Sequence, residues 1–213
     1  AMSSATTGTN NVAVGRNALD ANTTASNNTA VGYDALGANT TGTLNTAVGQ
    51  NSGASITTGI RNTTVGAASL DAEIAGNYST AMGYGALSVQ SNASSTDVYN
   101  TAVGYLAGAA VTTGTHNTLI GGLAGDAITT GSYNNAFGHA SLSTATTGEQ
   151  NAAFGRYSLN LNTTGSENTA LGNHALNSNT TADNNTAVGY YSLYANTTGT
   201  GNVALGANAL DAN

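Results

Sequence analysis

Apolar residues return along this chain at two fixed places in a 17-residue unit. The unit reads N-T-A-V-G-x-x-A-L-x-x-N-T-T-G-x-x and is nearly intact over residues 28–44 and again from residue 45. One apolar residue stands directly before the glycine of N-T-A-V-G, and the second is the leucine four residues after that glycine. Because the glycine recurs about twelve times, with a single 21-residue step from Gly83 to Gly104, the pattern predicts a repeat protein.

Glycines divide each unit into two segments of about five residues, which is the length of a short strand. The glycine of N-T-A-V-G, here called the turn glycine, and the glycine of T-T-G are both predicted to adopt positive φ. No segment shows the 3.6-residue apolar period of a helix. The pattern therefore predicts an all-β fold, a β-solenoid or β-roll of about twelve 17-residue coils. These coils are expected to form a single repeat domain over residues 1–213, with a four-residue insertion within residues 88–99.

Stacked coils turn each position of the unit into a column of side chains. The residue before the turn glycine, here the valine column, is apolar in every unit and is predicted to face a core. Its members are Val14, Val31, Val48, Val65, Met82, Val103, Ile120, Phe137, Phe154, Leu171, Val188 and Leu205. The residue two positions earlier, usually threonine, shares its face because strand side chains alternate. The alanine between them is predicted to lie where another surface approaches closely.

The second apolar position forms a leucine column with a regular exception. Its members are Leu19, Leu36, Leu70, Leu87, Leu142, Leu159, Leu176, Leu193 and Leu210. In the other three units the leucine is replaced by glycine, and the residue three positions further on becomes apolar. These pairs are Gly53 with Ile56, Gly108 with Val111, and Gly125 with Ile128. The exchange predicts that both positions fill one core volume.

An asparagine opens nearly every unit, and this asparagine column has the geometry for a ladder. Stacked amides can hydrogen-bond from one coil to the next. We therefore expect a structural ladder along the solenoid. The other positions of the strand stack in the same way. In the two most regular repeats the residues of this structural ladder are Asn28, Asn45, Val31, Val48, Gly32 and Gly49.

Charge and composition exclude several classes of partner. Three basic residues stand against ten acidic ones, for a net charge of −7. Phosphate binding needs clustered cations, which argues against nucleic acid, and the chain has no run of about 18 apolar residues that would insert into a membrane. One valine and one leucine per coil bury little apolar surface, so copies of the chain are expected to associate as a homo-oligomer.

The strand motif resembles known fibre repeats. N-V-A-V-G at residues 11–15 and N-V-A-L-G at residues 202–206 resemble the S-V-A-I-G repeat in the heads of trimeric autotransporter adhesins of the YadA type, although the period of those heads is shorter. The fuller motif at residues 28–42 is similar to repeats in bacteriophage tail-fibre proteins and related bacterial surface proteins. The resemblance implies a homotrimer of left-handed parallel β-rolls. It also implies an extracellular structural and adhesive fibre segment, on a virion tail or a bacterial surface, that attaches to a host.

Tyrosines that recur directly after the turn glycine are the candidate contact residues. They are Tyr33, Tyr84, Tyr105 and Tyr190, with Tyr157, Tyr191 and Tyr194 nearby. Exposed aromatic rings can stack on a sugar face, so these residues are candidates for contact with a cell-surface glycan or receptor. The alternative is that they cap the edges of the coils or pack between chains.

An ice-binding β-solenoid is the alternative function, because threonines are regular and charge is low. The paired threonines are Thr40, Thr41, Thr57, Thr58, Thr112, Thr113, Thr163 and Thr164. Ice binding needs a flat, outward array of threonines. The pairs precede a turn, and the strand threonines share a face with the apolar column, so the sequence predicts no such plane.

No constellation of residues predicts catalysis. His116, His139 and His174 occupy different places in the unit, and no spacing typical of metal ligands is present. The aspartates at positions 20, 34, 71 and 126 are expected to be solvated loop residues rather than paired catalytic acids. The sequence therefore predicts no enzyme, no cofactor and no metal site.

Overall fold

The computed structural model describes residues 1–4 and 6–212, which fall into two compact units, Ala1–Leu106 and Ala107–Asn213. Within the described residues the regular structure is short parallel strands, and no helix is present. The all-β prediction is confirmed.

The described part of unit 1 contains eight strands. They are β1 (Val12–Val14), β2 (Thr29–Val31), β3 (Thr46–Val48), β4 (Thr63–Val65), β5 (Gly76–Asn77), β6 (Thr80–Met82), β7 (Thr96–Asp97) and β8 (Thr101–Val103). The three-residue strands pair side by side in the order β1-β2-β3-β4-β6-β8. The two-residue strands β5 and β7 pair with each other.

Unit 2 repeats this arrangement without the short extra pair. Its strands are β9 (Thr118–Ile120), β10 (Asn135–Phe137), β11 (Ala152–Phe154), β12 (Thr169–Leu171), β13 (Thr186–Val188) and β14 (Val203–Leu205). They pair in chain order, and every pair is parallel.

Each strand pairs with the equivalent residues of the next coil. Ala13 lies opposite Ala30, and Ala30 lies opposite Ala47. The register is kept across the insertion, where Ala81 lies opposite Ala102. The strands correspond to a parallel β-solenoid of about 11 turns, which confirms the stacking predicted from the glycine period.

Most coils form only one strand, so the prediction of a second is wrong for them; β5 and β7 are second strands in the two coils that carry β4 and β6. In the segment after the turn glycine, alternate residues adopt left-handed φ, as Asp34 does at 57° and Leu36 at 49°. This alternation cannot form an extended strand. Backbone hydrogen bonds nevertheless continue between coils, from the Leu36 N–H to the Ser52 carbonyl at 3.1 Å and from the Thr40 N–H to the Thr57 carbonyl at 3.0 Å.

The valine column points outward, which corrects the prediction that it faces a core. Val48 is 37% exposed and Val31 is half-buried, whereas the alanines of the same strands, Ala30 and Ala47, have no exposed surface. Alternation places valine and threonine on one face as predicted, but that face is the outer one. The interior side of the strand carries alanine in most coils because it faces the leucine column, with Thr64 and Leu119 as the larger exceptions.

The leucine column fills the interior, as predicted, and shares its volume with the position three residues on. Leu36 and Ile56 are both fully buried. A Cβ built on Gly53 would lie 3.0 Å from Ile56 Cδ1 and 3.3 Å from Leu36 Cδ2. The predicted exchange of leucine for isoleucine within one core volume is therefore confirmed.

The two glycines of each 17-residue repeat have different roles. Gly32 and Gly49 adopt φ of 140° and 137°, as predicted for the turn glycine. The T-T-G glycine is not in the left-handed region, so that prediction is wrong. At Gly42 the constraint is space, since a Cβ there would meet the carbonyl oxygen of Gly59 and the side chain of Asn39.

The asparagine column hydrogen-bonds backbone groups rather than only its neighbouring amides. Asn28 Oδ1 accepts from the Asn45 N–H at 2.9 Å, and Asn28 Nδ2 donates to the Gly42 carbonyl at 2.9 Å. A second set of asparagines, three residues before the T-T-G glycine, uses the same carbonyl. Asn39 Nδ2 donates to it at 3.0 Å.

The insertion packs against a buried carboxylate. Glu73 is fully buried, and its Oε1 accepts from the backbone N–H groups of Gly76 at 2.8 Å and Asn92 at 3.0 Å. Its Oε2 accepts from Gln90 Nε2 at 2.8 Å and Asn92 Nδ2 at 2.9 Å. These bonds fix the residues that lead into β7, after which the regular unit resumes at Asn100.

Candidate contact surfaces

The outer face of each parallel sheet carries the valine column and the threonine column, and we call it the outer sheet face. In unit 1, Val14 is 57% exposed and Met82 is 41% exposed. In unit 2, Leu171 is 49% exposed. Every coil therefore presents one apolar side chain of this face to solvent, in register with the coils on either side.

Strand threonines share this face. Thr29, Thr46 and Thr63 lie opposite one another in successive strands. They point to the same side as the exposed valines, so they do form an outward array, contrary to the sequence prediction. Of the paired threonines, Thr40 uses its hydroxyl within the solenoid by donating to the Thr57 carbonyl at 3.2 Å, while Thr41 is exposed.

In unit 2 the outer sheet face carries larger side chains. The rings of Phe137 and Phe154 stack with centroids 4.7 Å apart and an interplanar angle of 8°. The strand that carries Phe154 has Ala152 where most strands have threonine. The valine column of this face is apolar in each unit, but its side chains differ in size.

The four tyrosines predicted from the repeat are all exposed, and none belongs to a buried site. Tyr84 and Tyr105 stack on each other with centroids 5.7 Å apart. The guanidinium of Arg16 lies 5.9 Å from the Tyr33 ring centroid. Tyr190 contacts Tyr191 at 4.5 Å between centroids. The structure thus separates Tyr33 from the pair, and it places Tyr190 at the end of a larger cluster.

That cluster is a row of rings across consecutive coils of unit 2, which we call the aromatic row. It comprises His139, Tyr157, His174, Tyr190, Tyr191 and Tyr194. Centroids of Tyr157 and His174 lie 5.1 Å apart, and those of His174 and Tyr191 lie 4.8 Å apart. Sequence reasoning recognised Tyr157, Tyr191 and Tyr194 only as neighbours of Tyr190 and missed the histidines. The available signal was an aromatic residue two positions after the turn glycine in three successive 17-residue repeats.

Two residues of the row, His174 and Tyr191, have pKa values shifted from their ordinary values. Burial lowers the pKa of His174, and the nearby Arg156 guanidinium lowers it further. His174 Nδ1 is buried and has no hydrogen-bond partner among the described residues. Burial raises the pKa of Tyr191, with Tyr190 and Tyr194 adding to the effect.

The aspartates expected to be solvated, at positions 20, 34, 71 and 126, are half-buried instead. Burial raises the pKa of Asp71 and of Asp126. Ser3 Oγ donates to Asp20 Oδ1 at 2.7 Å, and Asp34 is also half-buried. No group of three His, Cys, Asp or Glu side chains that could hold a metal ion occurs among the described residues.

Comparison of the chain with protein-family models, curated proteins and solved structures found no match. Across the described residues there is also no helix of the length and apolarity needed to cross a membrane.

Proposed function

We propose that this chain is a structural and adhesive segment of a trimeric extracellular fibre, on a virion tail or a bacterial surface, that mediates attachment to a host. The outer sheet face is the proposed contact between copies. The outward position of the valine column is the observation that carries this proposal. Such a segment needs no catalytic centre, metal or cofactor.

Leaving the apolar side chains of the outer sheet face in water is costly. Burying apolar surface contributes about 25 cal/mol per Å², and contiguous exposed apolar patches larger than a few hundred Å² mark interaction sites. Here the apolar side chains are not scattered, because they repeat at one position in each coil. A second copy with the same repeat presents a complementary column at the same spacing, so association can bury the whole column.

The number and arrangement of copies come from the resemblance of the strand motif to trimeric adhesin heads. A trimer of left-handed rolls is the arrangement that resemblance implies, with the outer sheet face of each copy directed at the other two. The exposed tyrosines after the turn glycine lie outside the strand and remain available for contact with a glycan or receptor.

The mass of the chain in solution tests the proposal. Light scattering is expected to give about three times the 20.8 kDa of one chain. Val48→Asp places a carboxylate on the outer sheet face and is expected to reduce the mass to that of one chain, with the circular dichroism spectrum unchanged. Leu44→Asp is the matched control, since Leu44 is an apolar residue of similar exposure outside the strand.

A wild-type protein that behaves as a 20.8 kDa monomer would contradict the fibre proposal. The same result would favour a second candidate, an ice-binding solenoid. The observation in its favour is the outward array of Thr29, Thr46 and Thr63 beside exposed valines. Thermal hysteresis in the monomer would identify it. Against it stand the tall side chains of Met82, Phe154 and Leu171, which interrupt a flat plane.

A further inference from the structure

Two pairs of tyrosines stand at the coil that contains the four-residue insertion, residues 79–99, which we call the irregular coil. The rings of Tyr78 and Tyr99 stack with centroids 5.0 Å apart and an interplanar angle of 9°. The rings of Tyr84 and Tyr105 stack at 5.7 Å and 14°. The first pair therefore connects the irregular coil to the coil before it, and the second pair connects it to the coil after it.

The fold does not require tyrosine at these places. One pair occupies the position before the asparagine column, and the other occupies the position after the turn glycine. The residues that fill these two columns in the adjoining coils are Arg61, His116, Ala67 and Gly122. Tyrosine thus meets tyrosine at both joints of the irregular coil, and neither column continues with tyrosine beyond them.

The regular stack of unit 1 is interrupted in the irregular coil. Residues 93–95 are exposed, whereas Asn92 and Val98 on either side of them are buried. The Val98 N–H donates to the Asn77 carbonyl of the preceding coil at 3.1 Å, and Tyr99 follows directly. A covalent bond from Tyr99 to the preceding coil would therefore lie beside the interruption.

The four rings are open to a soluble oxidant. Tyr84, Tyr99 and Tyr105 are exposed, and Tyr78 is half-buried. The chain has no cysteine and no tryptophan, so tyrosine is its side chain most readily oxidised by loss of one electron. Because the chain also has no lysine, neither a disulfide nor a lysine isopeptide bond can join its coils.

We propose that these pairs are sites of oxidative modification, where dityrosine bonds join the irregular coil to the coils on either side. An oxidant of the peroxidase class, driven by hydrogen peroxide, removes one electron and one proton from each phenol. The two phenoxyl radicals couple through a carbon ortho to each oxygen, and each ortho hydrogen moves to its phenolic oxygen as the ring regains aromaticity. For each bond, the pair loses two hydrogen atoms and one hydrogen peroxide is reduced to two waters.

The stacked geometry favours coupling within each pair. Centroids are already held 5.0 to 5.7 Å apart, so the two radicals need no encounter between chains. Exposed side chains change rotamer within picoseconds to nanoseconds, which lets the rings slide until two ortho carbons meet. Coupling of this kind takes place within one chain and does not depend on the proposed fibre.

Tyrosines outside the two pairs provide internal comparisons. The ring of Tyr133 stacks on the imidazole of His116 at 4.8 Å between centroids, and imidazole cannot complete a dityrosine. Tyr191 and Tyr194 lie 4.7 Å apart, but they belong to one coil, so a bond between them joins no coils.

Cleavage before aspartate locates the bonds. Asp97 lies between the members of each pair, so cleavage gives the peptides 71–96 and 97–125, each with one tyrosine of both pairs. After treatment of the chain with a haem peroxidase and hydrogen peroxide, we expect these peptides to remain joined, with up to four hydrogen atoms lost. Denaturing electrophoresis is expected to show the mass of one chain. A bond between Tyr191 and Tyr194 joins no peptides, because no aspartate lies between them.

Phenylalanine variants assign each bond. Tyr78→Phe and Tyr84→Phe keep the ring but remove the phenolic oxygen, so each is expected to give joined peptides that lack two hydrogen atoms. The double variant is expected to lower the yield of joined peptides at least tenfold. Tyr133→Phe is the matched control, because Tyr133 is exposed and occupies the same column as Tyr78. Its yield is expected to equal that of the wild type.

The bonds are also expected to stabilise the chain. A cross-link between coils restricts the unfolded chain, so treatment is expected to raise the guanidinium midpoint of the wild type and to leave that of the double variant unchanged. An unchanged midpoint in a chain that carries both bonds would overturn the stabilising role. Separate peptides after treatment, bonds found only between chains, or an undiminished yield in the double variant would each overturn the modification sites.

Discussion

At the scale of single residues, buried asparagine amides supply hydrogen bonds that the short strands cannot. Asn45 Oδ1 accepts from the Asn62 N–H at 2.9 Å, and its Nδ2 donates to the Gly59 carbonyl at 2.8 Å. Asn39 Nδ2 donates to a carbonyl that already accepts from Asn28, and Asn39 Oδ1 has no partner among the described residues. The two asparagines are equally buried but not equally important.

Asn45→Ala is expected to lower the free energy of unfolding by about 2 to 5 kcal/mol, because a buried N–H and a buried carbonyl lose their partners. Asn39→Ala is the control and is expected to cost less than about 1 kcal/mol, since the Gly42 carbonyl keeps one donor. Alanine already stands in this column at Ala145. Guanidinium unfolding measures both, and equal costs would contradict the assignment.

His174 gives the stability of unit 2 a dependence on pH. Its pKa is lowered in the folded protein, chiefly by burial, so the unfolded chain binds the proton at a higher pH than the folded chain does. The free energy of unfolding therefore falls as the pH drops through and below 6.5. We expect the unfolding midpoint to decrease between about pH 7.5 and pH 5.5, and to decrease less in His174→Asn. An identical pH profile in the variant would refute this role.

At the scale of the coil, three columns share one interior volume. Where the leucine column has Gly125, the alanine column has Leu119 and the position three residues on has Ile128. A Cβ on Gly125 would lie 2.7 Å from Leu119 Cδ2 and 2.8 Å from Ile128 Cδ1. The interior thus accepts large side chains from different positions, as long as the total volume is kept.

A double-mutant cycle in the third coil tests this shared volume. Gly53→Leu alone is expected to destabilise the protein by about 1 to 3 kcal/mol through overpacking against Ile56. Ile56→Asn alone leaves a cavity and costs about 2 to 4 kcal/mol. The double variant reproduces the second coil, with its Leu36 and Asn39, and is expected to recover most of both losses. Simple additivity of the two losses would show that the sites do not share a volume.

The sequence predicts how the coils stack but not which face of each strand points inward. The 17-residue glycine period determined the stacking, because only equivalent residues such as Ala30 and Ala47 can then pair. Alternation showed that Val48 and Thr46 share a face, but a period of two cannot tell the inner face from the outer one. The small size of alanine predicts close approach of another surface, and in the folded coil that surface is the interior.

The candidate site was predictable only in part, for a similar reason. Tyr190 was found because tyrosine recurs after the turn glycine. His174 was missed because its position is filled by asparagine, aspartate, alanine, glycine or leucine in many other coils. Its contacts with the rings of Tyr157 and Tyr191 depend on how the coils stack and are a property of the folded protein.

At the scale of the whole molecule, each coil is a complete and replaceable part. Deletion of residues 168–184 removes one coil from its asparagine to the residue before the next. The protein is expected to stay folded, because Asn185 then stacks on Asn151 with the same neighbours as before. Deletion of residues 168–183 is the control. It leaves Asn184 as one extra residue between Glu167 and Asn185, which has to bulge out for the register to be kept, and is expected to lower the unfolding midpoint more than the 17-residue deletion does.

Circular dichroism and guanidinium unfolding distinguish the two deletions. The 17-residue deletion is expected to keep a cooperative transition at a slightly lower midpoint, as nearest-neighbour stability predicts for a repeat protein. Loss of folding in both would mean that the coils of unit 2 are not interchangeable.

The shared interior volume has a consequence for how such a chain can change over generations. When Gly53 replaces a leucine, Ile56 restores the lost bulk within the same coil, so neighbouring coils need no adjustment. Substitutions can therefore accumulate pairwise inside a coil while its outline stays the same. Duplication or loss of a 51-nucleotide segment of the gene would then change the number of coils without requiring any new interior packing.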